Sequence, residues 1–507
     1  MKPIKNKFIL LFSPHPTRFG RRMIPLALVA VSTLIEKDYD VRIFHSYDKK
    51  DYLEALEHLD QAICVGITAM TGYQITDGLK FAKLVREKNK KVPIVWGGIH
   101  PTIKPLQTLE DPNVDIVVKG PGEETFAELV SALDQGKSLD GILGIAYKEN
   151  GKIVNNPERP YRKIDSLPPM PYHILGDNIE EYIKINANAD RNLLYLTSAG
   201  CPLRCRFCYL GNPNFERKWD FYPAQRVVSE IKNLVKEYNI TGLEMRDSNF
   251  FVNKKRCEDI FKGLIEENIK ISISYLNGRV DDLISFDDDF WLLMKKAGIR
   301  EVVIGAESGD QEILDYIDKK IKAEDILECI KKAKKFGIKV FSSFMTGFPI
   351  QRGANPEKQL KQELDRTVDL ASRMFAADPL SEIFIYFYSP YPGTYLYEKS
   401  LELGFNEPKS FAEWGKIDHE DHVTPWVTKN HQKKVELVRK LFVLKKLSSD
   451  EYFAKKVSSN RKIYWIAKFR LNKVLNRFVD FRFRTKFFFL PVENVLFSGS
   501  SLAKFIR

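Results

Sequence analysis

Short apolar runs alternate with amphipathic segments over the first third of the chain. The runs predict strands, and apolar positions three or four residues apart predict helices. The predicted strands are Phe8–Phe12, Val41–Phe44, Ala62–Thr68, Val92–Trp96 and Asp115–Val118, and the predicted helices lie at Pro25–Glu36, Thr76–Arg86 and Glu123–Leu133. Because strands and helices alternate strictly, the pattern predicts an α/β domain with a doubly wound parallel sheet. Ligands of such sheets bind beyond the carboxyl ends of the strands.

The same alternation returns between residues 193 and 387. The predicted strands are Leu193–Thr197, Gly242–Asp247, Ile271–Tyr275, Glu301–Ala306, Lys339–Met345 and Glu382–Phe387. Helical patterns follow these strands, so the region contains six β/α units. Polar residues at the strand ends face the side of the fold where barrel enzymes carry out chemistry.

A turn-rich and proline-rich stretch separates the two regions. Asn150 and Gly151 are typical of a hairpin turn, and the three prolines within residues 167–171 favour extended chain. We therefore predict four segments along the chain. They are a first domain over residues 1–149, a linker over 150–191, a β/α domain over 192–400 and a helical carboxyl-terminal region over 401–507.

Three cysteines lie in one loop after the first strand of the second region. Cys201, Cys205 and Cys208 have the spacing C-x3-C-x2-C, and closely spaced thiolates of this kind hold iron–sulfur clusters. A structural zinc ion requires a fourth ligand, whereas the other cysteines of the chain are scattered singly. Zinc and inert thiols remain the alternatives. Three cysteines leave one iron of a four-iron cluster open, and a substrate can bind there.

This loop resembles the cluster loop of the radical S-adenosylmethionine (radical SAM) superfamily. The order of the cysteines, Phe207 between the last two, and the approach Ser198-Ala199-Gly200 are similar to that family. The resemblance implies a partial (β/α)6 barrel and a [4Fe-4S] cluster whose open iron binds S-adenosylmethionine. It also implies reductive cleavage of S-adenosylmethionine to a 5'-deoxyadenosyl radical, which abstracts hydrogen from a substrate.

Small and flexible residues follow the strands of the first domain. On spacing alone they are equally well explained as ordinary turn glycines. As a set, however, the segments around residues 65–68, 97–100 and 119–126 resemble the cobalamin-binding domain of one large radical SAM subfamily. The resemblance implies cobalamin contacts at Thr68, Gly97, Gly98, His100, Gly120 and Glu123. The Asp-x-His-x-x-Gly segment of the best-known cobalamin proteins is missing, so we expect cobalamin without a protein histidine on cobalt.

The same resemblance implies S-adenosylmethionine contacts at the ends of the barrel strands. Residues 305–309 resemble the segment that contacts the ribose and amino acid moiety, residues 346–349 resemble the turn beside the adenine, and Arg279 is expected to pair with the carboxylate. The implied contacts are Asn277, Arg279, Glu307, Ser308, Lys319 and Gly347. For Arg279 and Lys319 a surface salt bridge is the alternative.

The second barrel strand departs from the superfamily at large. That strand usually ends in a Gly-Gly-Glu type segment, whereas this chain has Glu244-Met245-Arg246-Asp247-Ser248. An Asp-rich segment is common here in the cobalamin subfamily. The resemblance therefore favours Asp247 as the catalytic carboxylate.

Composition and charge indicate where in the cell the protein is located and what kind of partner it binds. The chain carries 79 lysines and arginines against 67 acidic residues, a formal net charge of +12, which favours an anionic partner. The apolar run after the basic amino terminus is too short for a signal peptide, and the longest apolar stretch, Ile24–Ile35, is too short to span a bilayer. We therefore expect a cytoplasmic protein, with contact to the inner face of the membrane as one option.

Basic and aromatic residues interleave from Lys455 to the carboxyl terminus. Apolar residues at 471, 474, 475 and 478 follow helical spacing, as in helices that lie in a membrane interface. A terminal helix that caps the open barrel is the alternative. Nucleic acid is the least favoured partner of this segment.

Together, the resemblances imply a cobalamin-dependent radical SAM enzyme that methylates an unactivated carbon through methylcobalamin. The tail favours a hydrophobic or lipid-like substrate, and a reductant such as flavodoxin or ferredoxin must supply electrons. Two alternatives stay open: a cyclase that resembles the anaerobic enzyme of chlorophyll synthesis, and a non-catalytic cobalamin-responsive or redox-responsive binding protein. A transfer RNA methylthiotransferase is disfavoured, since it would need an amino-terminal domain with its own cluster cysteines.

Overall fold

The computed structural model of the chain describes residues 7–16, 22–184, 186, 188–211, 219–350, 355–417, 424–451, 474 and 476–488. Five parallel strands form the centre of the first domain, in the order β2-β1-β3-β4-β5. They are β1 Phe8–Ser13, β2 Asp40–His45, β3 Ala62–Thr68, β4 Ile94–Gly97 and β5 Ile116–Val118. The helices are α1 Leu26–Ser32, α2 Lys49–Leu56, α3 Tyr73–Lys88, α4 Ile99–Ile103, α5 Pro105–Glu110 and α6 Glu123–Asp134. The strands are almost fully buried because helices cover both faces, which confirms the predicted doubly wound sheet.

An antiparallel hairpin extends this sheet beyond β5. Its strands are β6 Ile145–Glu149 and β7 Lys152–Asn155. Asn150 and Gly151 form the turn with φ angles of 49° and 75°, as expected for an Asn-Gly hairpin. The predicted boundary at residue 149 therefore falls inside the hairpin, and the sheet ends at Asn155. The segment that leads from there to the second domain contains the short helix α7, Ile179–Tyr182.

Six parallel β/α units form the second domain as an open barrel. The strands of this region are β8 Asn192–Tyr195, β9 Ser198–Gly200, β10 Trp219–Phe221, β11 Gly242–Met245, β12 Ser272–Ser274, β13 Leu276–Gly278, β14 Glu301–Glu307, β15 Lys339–Thr346 and β16 Glu382–Phe387. The helices are α8 Ala224–Tyr238, α9 Lys254–Glu266, α10 Val280–Ser285, α11 Asp288–Lys296, α12 Gln311–Tyr316, α13 Ala323–Phe336 and α14 Pro356–Ala377. The barrel order is β8-β11-β12, continued by β13-β14-β15-β16, while β9 and β10 form a separate antiparallel pair.

The third barrel strand is divided at Tyr275, the last residue of the predicted strand Ile271–Tyr275, and β13 follows as a further short strand. Tyr275 separates β12 from β13 and has a φ of 59°. A bulky residue rarely occupies this left-handed region because its Cβ crowds the backbone. The two halves of the barrel wall therefore meet at a strained residue.

The carboxyl-terminal region connects both domains. Its helices are α15 Tyr395–Glu402, α16 Phe411–Trp414 and α17 Lys429–Leu447. Residues 405–417, which we call the clasp, pack on the first domain and contribute Phe405, Phe411, Trp414 and Ile417 to its core. The indole nitrogen of Trp414 donates a hydrogen bond to Gln107 at 2.7 Å, and the hydroxyl of Thr76 donates one to the carbonyl of Gly415 at 3.0 Å. The carboxyl-terminal region is thus part of both cores.

The described part of the basic tail packs on the outside of the second domain. Residues 476–485 are helical, and Phe483 and Val479 belong to the same core as Phe442 of α17. Lys445 of α17 pairs with Asp480. Most of the predicted interfacial segment, including residues 455–473, lies outside the described residues. Within the described residues, every helix is too short or too polar to cross a bilayer.

Candidate active site

The three cysteines lie in a loop held by the β9–β10 hairpin. Gly200, at the end of β9, pairs with Trp219 of β10, and the backbone N–H of Cys208 donates to the carbonyl of Cys205 at 3.1 Å. All three thiols are free and half-buried. Among the described residues, no group of His, Cys, Asp or Glu side chains could hold a single metal ion. The donor set instead fits a four-iron cluster, because each thiolate there binds a different iron.

Burial dominates the protonation of these thiols when no metal is bound. It raises the pKa of all three, that of Cys208 to about 11. The positive charges of Arg279 and Lys319 act in the opposite direction on Cys201 and Cys205. Iron would displace the thiol protons, as metals do at thiolate sites, and the two cations would then offset part of the thiolate charge.

Asp247 anchors the strand that leads into this loop. Its carboxylate, which is fully buried, accepts hydrogen bonds from the hydroxyls of Thr197 at 2.7 Å and Ser198 at 2.5 Å, and from the backbone N–H of Thr197. Arg256, also buried, donates to the carbonyls of Thr197 and Tyr222. The carboxylate that the sequence predicts as catalytic is therefore engaged in holding the loop, which is a positioning role.

Glu307 and Lys319 form a buried ion pair at the end of β14. Lys319 Nζ lies 2.7 Å from Glu307 Oε1, and both residues are less than 10% exposed. Burial alone would lower the pKa of Lys319, but the Glu307 carboxylate outweighs burial and raises it. Gly305 leaves room for the pair in this position, because a Cβ there would force the Glu307 carboxylate to move. Glu307 also has a left-handed φ of 59°, and strain of this kind clusters at functional sites.

Arg279 has its own partner at the barrel mouth. Its guanidinium donates two hydrogen bonds to the carboxylate of Asp281, each 2.7 Å long, and one to the carbonyl of Lys319 at 3.0 Å. The Arg279 side chain is 10% exposed and that of Asp281 is 42% exposed, so the pair lies partly at the surface, as in the salt bridge that was the alternative. Arg279, Lys319 and Glu307 therefore form one connected group of charges near the cysteines.

The other three predicted S-adenosylmethionine contacts also lie at strand ends. Asn277 donates to the carbonyl of Asp247 at 2.7 Å. Ser308 is fully buried and accepts a hydrogen bond from the backbone of Asp310. Gly347 has a φ of 80°, and its carbonyl accepts a hydrogen bond from the indole of Trp426 at 2.9 Å. All six predicted residues thus surround the carboxyl ends of β13, β14 and β15.

A separate cavity of about 170 Å³ lies at the carboxyl ends of the first-domain strands. Five of the six predicted cobalamin contacts line it: Thr68, Gly97, Gly98, Gly120 and Glu123. Its other walls are mainly apolar side chains, among them Leu11, Leu28, Val31 and Phe126. An apolar slot of this volume, with glycine backbone at its rim, can hold one part of a large cofactor, and the remainder would lie outside the rim.

His100 is placed differently from the other five residues. It is fully buried, its Nδ1 lies 2.8 Å from the hydroxyl of Thr71, and its ring packs on Phe411 and Trp414 of the clasp. Burial lowers its pKa to about 3, so the imidazole is neutral. His100 does not line the cavity and instead joins the β4–α4 turn to the clasp.

A chain of polar contacts links the cavity to the hairpin that holds the cysteine loop. Burial raises the pKa of the cavity residue Glu123, and its neighbour Glu124 pairs with Arg162. Tyr161, next to Arg162, donates to Asp220 of β10 at 2.9 Å. Residues 161 and 162 therefore connect the helix beside the cavity with the hairpin of the cysteine loop.

Sequence reasoning did not assign roles to Arg246 and Tyr275, which lie on the inner wall of the barrel. The guanidinium of Arg246 stacks over the ring of Tyr275, 4.8 Å from its centroid, and pairs with Glu244 at 2.8 Å. The available signal was the pair of charged residues at positions 244 and 246, within and directly after β11, in a sheet type whose strands are otherwise apolar.

Comparisons with known proteins agree with this arrangement. The model of the radical SAM superfamily matches residues 195–357, and the model of the B12 binding domain matches residues 17–130. The chain is 33% identical over 404 residues to an uncharacterized methyltransferase of Pyrococcus horikoshii, an alignment that covers 78% of this chain and 83% of that protein.

Two further proteins illustrate the range of similarity. The anaerobic magnesium-protoporphyrin IX monomethyl ester cyclase of Rubrivivax gelatinosus is 31% identical over 63% of this chain and 57% of its own length. The solved structure of the methyltransferase TsrM from Kitasatospora setae, with cobalamin and a [4Fe-4S] cluster bound, has a TM-score of 0.63 at 19% identity and covers 81% of this chain and 84% of its own. At that identity the structural likeness shows a shared fold.

Proposed function

Because the chain belongs to the cobalamin-binding radical SAM enzymes, we propose that it methylates an unactivated carbon of a hydrophobic or lipid-like molecule. The cofactors predicted from the sequence, a [4Fe-4S] cluster, S-adenosylmethionine and cobalamin, are those of this family, and methyltransferases are among its members. The same membership excludes the non-catalytic binding protein.

The residues divide into two proposed cofactor sites. Cys201, Cys205 and Cys208 bind the cluster, and the six residues around the ends of β13 to β15 bind S-adenosylmethionine. The glycine-rimmed cavity binds cobalamin. When bound, the cluster and S-adenosylmethionine supply a radical that removes hydrogen, and cobalamin supplies the methyl group. Asp247 and Arg256 hold the loop, and the Glu307–Lys319 pair fixes charge beside it.

One observation carries the assignment of methyl transfer. Two successive residues link the cavity to the hairpin of the cysteine loop, since Arg162 pairs with Glu124, next to the cavity residue Glu123, and Tyr161 donates to Asp220 of β10. Transfer of a methyl group to a carbon radical requires both cofactors to reach one substrate. An enzyme that used the two sites independently would not need them side by side.

Anaerobic reconstitution with iron, sulfide and hydroxocobalamin tests this proposal. With a reductant such as flavodoxin, S-adenosylmethionine carrying a deuterated methyl group and a total lipid extract, we expect 5'-deoxyadenosine, bound cobalamin and label on a carbon of an extract component. Cys205→Ala should lose 5'-deoxyadenosine, whereas Cys329→Ala, a buried cysteine of α13, should keep it. Formation of 5'-deoxyadenosine without methyl label in any extract component would instead favour a cyclase-type reaction.

The lipid-like substrate rests on the basic aromatic tail. Val474 and Phe481 are 65% and 55% exposed, and Arg477 and Arg484 are exposed on the same helical face. An apolar stripe flanked by cations suits the interface of an anionic membrane. This face is opposite to Phe483 and Arg482, which are buried.

Point variants test the membrane contact better than deletion of residues 455–507, which would also remove the buried Phe483. We expect the double variant Phe481→Ser/Arg484→Ser to sediment with phosphatidylglycerol vesicles several-fold less than the parent protein. Leu292→Ser, an exposed apolar residue of α11, is the matched control. Equal sedimentation of the double variant and the control would show that this helix face does not contact the membrane. The argument for a lipid-like substrate would then be lost.

A further inference from the structure

The turn that follows β15 already uses both backbone hydrogen-bonding groups of its glycine. The N–H of Gly347 donates to the carboxylate of Glu363 in α14 at 3.2 Å, and its carbonyl accepts a hydrogen bond from the indole nitrogen of Trp426 at 2.9 Å. Gly347 is itself buried, and its φ is 80°. Its polar groups therefore hold the turn in place and are not available to a ligand.

The strand end beside this turn is fixed from the same direction. Thr346 Oγ1 lies 3.0 Å from Nε2 of His431 in α17, and both residues are 2% exposed. A Cβ on Gly347 would lie 2.7 Å from Cγ2 of Val427, so that side chain fills the space behind the turn. Trp426, Val427 and His431, all of the carboxyl-terminal region, therefore support one strand end of the barrel.

The turn also contacts the cysteine loop. Phe348 is fully buried, and its ring centroid lies 6.1 Å from that of Phe207, between Cys205 and Cys208. The ring centroid of Tyr388, which follows β16, lies 5.6 Å from that of Phe348. Protein interiors are closely packed and leave little room for such rings to move independently. The position of the turn and that of the cysteine loop are therefore linked through Phe348.

Trp426 connects the turn to the first domain. Its half-buried ring packs against two hydrophobic clusters. One contains Phe348 and the barrel strands, and the other contains Phe411 and Trp414 of the clasp. The indole that holds the Gly347 carbonyl is thus itself held between the barrel and the clasp.

A second tryptophan of the carboxyl-terminal region offers a comparison for this hydrogen bond. The indole nitrogen of Trp414 also donates a hydrogen bond, at 2.7 Å, but its acceptor is the side chain of Gln107 in α5. Gln107 lies outside the residues of both proposed cofactor sites. Trp426 donates instead to a backbone carbonyl at the strand end where S-adenosylmethionine is expected. The two tryptophans therefore share a bonding pattern and differ in what they hold.

We propose that Trp426 is a positioning residue of the S-adenosylmethionine site, whose indole holds the Gly347 turn against the cysteine loop. This inference rests on the proposed function and adds the carboxyl-terminal region to the site that the barrel provides. Trp426 acts through Gly347 and Phe348 and not on the reacting atoms. Without the indole donor the Gly347 carbonyl loses its partner, the turn is free to shift, and S-adenosylmethionine binds less tightly.

The variant Trp426→Phe tests the proposal, because it keeps an aromatic ring and removes the donor. S-adenosylmethionine is titrated into the reduced, cluster-loaded protein, and the electron paramagnetic resonance of the cluster reports binding. We expect the dissociation constant to rise about fivefold, the factor that one hydrogen bond typically contributes, while the iron content stays at that of the parent. Trp414→Phe is the matched control, since it also loses one indole hydrogen bond, and should bind as the parent does.

Two variants of Glu363 test the same turn from its other side and do not depend on the folding of Trp426→Phe. Glu363→Gln keeps an acceptor oxygen for the Gly347 N–H and should bind S-adenosylmethionine as the parent does. Glu363→Leu removes the acceptor and should bind about fivefold more weakly.

Three results would overturn the proposal. They are an unchanged dissociation constant in Trp426→Phe, an equal loss of affinity in Trp414→Phe, and equal affinities of the two Glu363 variants. A loss of iron from Trp426→Phe with unchanged affinity in the remaining loaded protein would also overturn it, because the indole would then serve cluster assembly alone.

Failure of this inference differs from failure of the proposed function. If the indole does not position the turn, Trp426→Phe and the parent bind S-adenosylmethionine equally, and the parent still forms 5'-deoxyadenosine and transfers deuterated methyl. If methyl transfer itself fails, the parent labels no component of the extract, whatever the affinity of the variant. The two measurements therefore separate the chemistry from the positioning of its cofactor.

Discussion

The two proposed cofactor sites use opposite means of recognition. The cavity of the first domain is lined by glycine backbone and apolar side chains, with Glu123 as its one acidic lining residue among those described. The barrel mouth is lined by fixed charges, with the buried pair of Glu307 and Lys319 beside Arg279. A mainly apolar cavity recognises the shape of the group that enters it, whereas a charged ligand requires preorganised partners. In this chain, one proposed site is thus formed by an apolar cavity and the other by fixed charges.

We expect the largest effect on the free energy of unfolding at the buried pair of Glu307 and Lys319. Lys319→Met leaves the Glu307 carboxylate buried without a cation, which typically costs about 3–5 kcal/mol of folding free energy. Urea unfolding of the cofactor-free protein measures this loss. The double variant Lys319→Met/Glu307→Met should recover most of it, since an apolar pair of similar volume replaces both charges. A double variant as unstable as the single one would show that charge pairing is not the source of stability there.

An intermediate effect is expected at the glycine rim. Gly98 has a φ of 98° and a ψ of −169°, and a Cβ there would lie 2.8 Å from the carbonyl of Ala69. We expect Gly98→Ala to cost about 1–3 kcal/mol, because only glycine occupies this backbone region freely. At Gly97 the nearest atom to a Cβ is 3.8 Å away, so Gly97→Ala should fold normally and instead reduce cobalamin binding. Equal stability of the two variants would mean that the rim does not depend on backbone shape.

A third effect concerns the floor of the barrel and appears as a pH dependence. Burial, and then the charge of Glu382, raise the pKa of Glu301 from 4.5 to about 7, against the opposing charges of Lys339 and Lys446. Between these values the folded protein holds a proton that the unfolded chain has released. Stability should therefore fall as pH rises from about 4.5 to about 7, by at most about 1.4 kcal/mol per pH unit.

Glu301→Gln should flatten this slope, because the neutral amide stands in for the protonated carboxyl. Unfolding at pH 5 and pH 7 for both proteins measures the difference. Glu266→Gln, at an exposed position of α9, should leave the slope as it is in the parent. A slope that survives in Glu301→Gln would assign the pH dependence to other groups.

Local signals in the sequence were sufficient for most of the architecture. Apolar periodicity predicted the central strands of both domains but not β6, β7, β9, β10 and β13, and the spacing of the cysteines with the family resemblance predicted the cofactors. Thr68 and the glycines at residues 97, 98 and 120 were placed at one edge of the sheet because its strand ends meet there, and the resemblance supplied their expected role in binding cobalamin. These are features that depend on neighbours within a few residues or on a regular repeat.

Contacts between distant segments were not predictable in the same way. The placement of His100 depends on Trp414, more than 300 positions away, and the role of Asp247 depends on hydroxyls some 50 positions before it. The break at Tyr275 reverses a local propensity, since tyrosine favours strands. Periodicity carries no information about which distant side chain completes a hydrogen bond, so these features became visible only in the folded protein.

The clasp has a consequence for the order in which the protein forms during synthesis. The first domain leaves the ribosome first, yet its core contains Phe411 and Trp414, which are translated after the whole barrel. The positions in this core that Phe411 and Trp414 fill remain open to water until those two residues have been synthesised. Contacts between segments so far apart in sequence also form slowly. Folding of the amino-terminal domain is therefore completed near the end of translation. A ribosome-stalled chain that stops before residue 405 should expose this face to chaperones, and one that extends past residue 417 clear of the exit tunnel should not.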